Sequence, residues 1–142
     1  MLYASECWAL RKEELARLVR NDRAMVRWIC GIKSDERVAN ATLYDRLQIP
    51  YLDTTLQFRR LRWAGHVYRS QYWTGRCVAL QVEGRKGKGR PRKTWRDTVN
   101  EDLCTHNLNI DLAEDRDTWR KALRDSKRSV QPLIRETETL NA

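Results

Sequence analysis

Residues 54–69 read TTLQFRRLRWAGHVYR. At 3.6 residues per turn, Leu56, Trp63, Ala64 and Val67 share one arc, with Leu61 and Tyr68 at its side. Arg59, Arg62, His66 and Arg69 follow one another on the other side at spacings of three, four and three. This is the pattern of a helix with one packed face and one basic face. Asp53 suits its N-cap. Arg60 falls inside the apolar arc, where an unpaired charge would be costly, so a carboxylate partner is predicted. Asp22, which interrupts the apolar stripe of an upstream helix, is the candidate.

Upstream, residues 11–30 carry Leu15, Leu18, Val19, Met25, Val26 and Ile29 on one arc, with Arg20, Arg23 and Arg27 expected to meet solvent. Gly31 suits the C-cap of that helix. Ser34 or Asn40 could cap a shorter helix with Val38, Leu43 and Leu47, which Pro50 ends. Residues 1–10, MLYASECWAL, form an apolar strand or extended lead-in. Downstream, residues 84–94, GRKGKGRPRKT, have the composition of a linker. Pro91 suits the start of a fourth helix bearing Trp95, Val99 and Leu103. A fifth, from about residue 112 to 127, aligns Leu112, Trp119, Ala122, Leu123 and Ser126. The reading is therefore an all-α, or nearly all-α, chain of about five helices. Its parts are a lead-in (1–10), a helical region (11–83), a basic linker (84–94), a helical pair (95–128) and a disordered tail (129–142).

Charge is concentrated in the middle. Residues 54–96 hold 12 basic side chains and 1 acidic one, against 9 and 8 in residues 1–53 and 7 and 10 in residues 97–142. A concentrated positive field attracts a polyanion, and counterion release drives the association. Nucleic acid, held mainly through its phosphates, is the expected partner. The candidate contacts are Arg59, Arg62, His66 and Arg69 on the helix and Arg85, Lys86, Lys88, Arg90, Arg92 and Lys93 in the linker. Phosphate contact is the main reading of this run; Arg90-Pro91-Arg92 also resembles an AT-hook core, which enters narrow minor grooves, and a nuclear-import signal is a further alternative. Trp63 and Trp119 fall on core stripes, whereas Trp73, beside Tyr72 and Arg76 in an expected loop, is a candidate for stacking on bases.

Catalytic chemistry is not indicated. The acidic residues are scattered, with no Asp-Asp pair of the kind that serves two-metal sites. Cys104-Thr-His106 offers one pair of zinc-type ligands, but Cys77 and His66 do not make a second close pair. His66 has no nucleophile in a recognisable setting. Cys7, Cys30, Cys77 and Cys104 contain no C-x-x-C pair and read as free core thiols. No apolar run approaches the roughly 20 residues of a membrane span, and no signal-peptide layout is present. An intracellular protein without a cofactor or membrane association is expected, most naturally in the nucleus.

In order, YASECWAL (3–10), MVRWICGI (25–32), RRLRWAGHVYR (59–69), GRPRKTWRDTVNEDL (89–103) and DRDTWR (115–120) resemble the C-terminal part of non-LTR, LINE-type retrotransposon endonuclease-reverse transcriptases. The resemblance implies that the polymerase palm, with its metal-binding aspartates, and the endonuclease lie upstream of the matching segments. It implies that this chain supplies thumb-like helices and a basic C-terminal region that hold RNA and primed DNA during target-primed reverse transcription. Arg59, Arg62, His66 and Arg69 match the pattern R-R-L-R-W-x-G-H-V-x-R, and residues 89–93 match G-R-P-[RK]-K. Ala4 departs from a usual glycine, and Ser70 from a frequent methionine. Two other readings stand beside this one: a small nuclear protein tethered to DNA by an AT-hook-like linker, and a transposon relic without function.

Overall fold

Gly31 adopts φ +69°, and the chain around it shows how the first helix stops. The Gly31 amide donates to the Trp28 carbonyl at 3.0 Å and the Ile32 amide to that of Arg27 at 3.0 Å, which satisfies two terminal carbonyls at once. The computed structural model describes residues 2–33, 35–80, 89 and 93–139. Among them are α1 (Lys12–Ile29), α2 (Asn40–Leu47), α3 (Leu52–Arg69), α4 (Trp73–Ala79), α5 (Trp95–Thr105) and α6 (Arg116–Thr139). Two 3-10 turns, Ser5–Cys7 and Ile110–Ala113, complete them, and no strand occurs among the described residues. The fold is mostly helical, as the periodicity predicts.

The chain divides into two units. The first comprises Met1–Ala9 and Gln57–Asp125. Its core is Phe58, Leu61 and Ala64 of α3, Val99 and Leu103 of α5, Ala113, and Trp119 and Leu123 of α6, with Trp95, Leu108 and Ile110 packed against it. Thr94 begins α5 with a capping box: its amide donates to Asp97 Oδ2 at 2.9 Å and its hydroxyl accepts from the Asp97 amide at 3.2 Å. The Thr94 hydroxyl, which donates to Asp97 Oδ2 at 2.7 Å, and then the Thr94 amide hold the Asp97 carboxyl below its ordinary value. Asp115 starts α6 in the same way, accepting from the Thr118 amide at 2.7 Å.

The second unit comprises Leu10–Leu56 and Ser126–Ala142. Val26, Leu43 and Tyr44 are its buried centre, with Cys30, Ile32, Val38, Leu47 and Tyr51 around them. Tyr44 donates to Asp22 Oδ2 at 2.5 Å and stacks on Tyr51 at 4.5 Å between ring centroids. Burial, and then the hydrogen bond to the Asp22 carboxylate, push the Tyr44 phenol far above its ordinary value. Arg27 donates to the carbonyls of Lys33 (3.1 Å), Glu36 (2.7 Å) and Val38 (3.2 Å), and so ties down the segment between α1 and α2.

Several sequence expectations are corrected. Arg60 does pair with a carboxylate, but with Asp102: Nε lies 2.7 Å from Oδ2 and the second contact is 3.2 Å. Asp22 is instead engaged by Tyr44. Arg27 is half-buried by its carbonyl contacts and does not simply meet solvent. The opening segment turns through a 3-10 helix, because no neighbouring strand pairs with it among the described residues. Asn40 is the first residue of α2 and not its cap, while Ser34 and Pro91 lie outside the described residues. Helix α6 continues to Thr139, past the expected tail boundary. Cys7, Cys77 and Cys104 are exposed free thiols and not core residues, whereas Cys30 is partly buried against the second unit's core.

Candidate nucleic-acid interface

Helix α3 sorts its arginines by register. Arg60 points into the first unit's core and is neutralised there by Asp102, both side chains being buried. One position before and two after, Arg59 and Arg62 are exposed, and His66 continues their side of the helix. Among the described residues no carboxylate is in ion-pair contact with Arg59, Arg62, His66 or Arg69. Arg59 keeps one light tether, a 3.1 Å bond to the Leu2 carbonyl. His66 lies against the half-buried Trp63 with ring centroids 5.1 Å apart.

Arg69 differs from the other three. It is half-buried and donates to the Ala113 carbonyl at 2.6 Å, so part of its donor capacity holds α3 to the turn before α6. Lys93 is ion-paired with Glu101 at the surface. Exposed pairs of this kind are weak, of order 0–1 kcal/mol, so phosphate can compete with the glutamate for it. Arg85, Lys86, Lys88, Arg90 and Arg92 lie outside the described residues.

Glycine makes the α3 geometry possible. A Cβ on Gly65 would lie 2.2 Å from Trp119 Nε1, so only glycine lets the indole come this close to the helix. There Trp119 is buried and donates to the Leu61 carbonyl at 3.2 Å. Trp119 thus has the core role expected of it, whereas Trp63 is only partly covered.

Three features escape the sequence reading. Helix α4, which contains Gly75, occupies a stretch expected to be loop. A Cβ on Gly75 would lie 1.9 Å from the Ser70 carbonyl oxygen, so the residue permits a close turn after α3. Asp102 has no distinguishing local signal; it is one acid among several. The third is Ala4, which adopts φ 53°. Its only signal is the glycine expected at that position from the resemblance.

Four acids of the first unit have structural partners. Asp97 and Asp115 cap helices, Asp102 neutralises Arg60, and Glu101 meets Lys93. His106, a candidate zinc ligand, is buried with its Nε2 3.1 Å from Gln57 Oε1 and its ring 4.5 Å from that of Phe58. Burial lowers its pKa, opposed by the charge of Asp102. Among the described residues no group of three His, Cys, Asp or Glu side chains is placed to hold a metal ion. Among the same residues no helix is long and apolar enough to cross a membrane. The chain matches no protein-family model, no curated protein and no solved structure.

Proposed function

We propose that this chain binds the phosphate backbone of RNA, DNA or their hybrid through the exposed side of α3, and that it is a non-catalytic segment of a LINE-type reverse transcriptase. The observation that carries the binding reading is the row Arg59, Arg62 and His66: exposed, adjacent on one rigid helix, and with no carboxylate in contact among the described residues. Two arginines left to solvent, with a histidine beside them, have their charge available for phosphate, and a phosphate contact carries no base identity, so sequence tolerance follows. The cationic run at residues 84–93 adds to the chain's positive charge.

The family reading is supported by how the resembling segments meet. Within the first unit, Arg60 of the third segment pairs with Asp102 of the fourth, Gly65 of the third accepts Trp119 of the fifth, and Trp95 Nε1 of the fourth donates to the Glu6 carbonyl of the first at 2.7 Å. Ala4 supports it independently. Where the family usually has glycine, this backbone is left-handed, a conformation that favours glycine. In this reading the palm of the parent protein performs the chemistry in the nucleus while these helices hold the template and target.

The test is a salt titration of binding to matched RNA, DNA and hybrid duplexes. Each phosphate contact adds about −0.9 to the slope of log K against log salt on B-form DNA. A steep slope with little sequence preference is expected. Selectivity for A·T-rich duplex would favour the AT-hook tether instead, and a folded chain that binds none of the three would overturn the proposal.

A further inference from the structure

Tyr72 and Trp73 are 82% and 78% exposed, at a corner that the phosphate-binding row does not explain. They are held there by a defined backbone. The Ser70 amide donates to the Val67 carbonyl at 3.1 Å, the Tyr72 amide to Ser70 Oγ at 3.3 Å, and Thr74 Oγ1 to Ser70 Oγ at 2.8 Å. Gly75 then allows α4 to start against the end of α3, since any Cβ would strike the Ser70 carbonyl. Two large rings are therefore presented to water on a fixed corner, three and four residues after Arg69, the last residue of the basic stripe.

Their neighbour is a cation. Arg76 is exposed and lies three residues from Trp73, so the two are on adjacent positions of one face of α4. No carboxylate is in ion-pair contact with Arg76 among the described residues. Exposed aromatic surface beside an unneutralised guanidinium suits a ligand that is flat and apolar on its faces and anionic at its edge. An unpaired nucleotide is such a ligand, because the base stacks and the phosphate takes the charge. A duplex hides all but its terminal base faces within its own stack and offers the rings far less.

We propose that Tyr72 and Trp73 are a stacking platform for unpaired bases of single-stranded nucleic acid, with Arg76 taking the adjoining phosphate. This rests on the phosphate-binding reading and adds a strand preference to it. The rings, not the charge, are what distinguish a single strand from a duplex.

The experiment uses the full chain and measures its affinity for fluorescent oligo(dT), oligo(U) and a blunt DNA duplex of the same length. Replacing both Tyr72→Ala and Trp73→Ala should weaken single-strand binding about tenfold or more while leaving duplex binding unchanged. Trp73→Phe should retain most of the single-strand affinity, since it keeps an aromatic face. Both rings are exposed, so the variants should keep the helical circular dichroism of the parent. Arg59→Ala with Arg62→Ala should weaken single strand and duplex alike. If the alanine pair leaves both affinities unchanged, or lowers them by the same factor, the platform is disproved while the backbone reading stands. If the parent chain binds neither ligand, both readings fall.

Discussion

The first unit closes seven buried apolar residues around Trp119 and spans a buried ion pair, whereas the second has Val26, Leu43 and Tyr44 at its centre. In the second unit Met25, Trp28 and Ile29 of α1 remain exposed, Trp28 by 82%. Both units contain amphipathic helices of similar length, so spacing alone does not distinguish them. What differs is what holds them. The first depends on volume and on one neutralised charge. The second leans on polar bonds: three carbonyls on Arg27 and the Tyr44 phenol on Asp22. Substitutions that change volume should act most strongly in the first unit, and loss of a hydrogen bond should be the sensitive change in the second.

The largest expected effect is in the first unit. Asp102→Ala leaves the Arg60 guanidinium buried without its partner, at a cost of about 3–5 kcal/mol, read as a fall in the urea midpoint. Changing Arg60→Leu together with Asp102→Leu should recover much of that loss, because the apolar pair removes the unpaired charge. If Asp102→Ala alone costs less than the removal of a surface ion pair, the contrast between the units is wrong. Gly65→Ala comes next, at about 1–3 kcal/mol for overpacking against Trp119, with a changed tryptophan near-ultraviolet circular dichroism spectrum as a second readout.

In the second unit Tyr44→Phe keeps the ring stack on Tyr51 and removes only the hydroxyl. The expected loss is about 1 kcal/mol, measured by the same denaturation. Ala4→Gly acts in the opposite direction. It relieves the left-handed strain at φ 53° and should raise the stability of the first unit by about 1 kcal/mol. An Ala4→Gly variant that is no more stable than the parent would remove one support of the family reading.

The smallest effect is one of pH. Burial of His106 lowers its pKa, so as pH falls below its ordinary value of 6.5 the unfolded chain takes up the proton first. The stability contributed by neutral His106 is complete above that value and is lost as pH falls through the lowered folded value. Urea midpoints should therefore drop between about pH 7 and pH 5, and His106→Gln should flatten the drop. An unchanged slope in that variant would place the pH dependence elsewhere.

Much of this architecture is legible from residue spacing. The long helices α1 and α3, the core positions Val99, Leu103 and Trp119, and the exposure of Arg59, Arg62 and His66 follow from period and side-chain type. The partner of Arg60 does not, because a wheel shows that a charge faces inward and not which helix meets it. Helix α4 is hidden because a glycine needed for close approach looks the same as one that breaks a helix. The exposed face of α1 is hidden for a related reason: an apolar stripe is a property of one helix, and its burial is a property of two.

The most direct measurement is the salt dependence of duplex binding by the parent chain beside Arg59→Ala with Arg62→Ala. The account predicts weaker binding at every salt concentration and a slope shallower by about 1 for each lost phosphate contact. Equal affinity and an unchanged slope in the two proteins would contradict it, because the exposed row on α3 would then not be the face that meets nucleic acid.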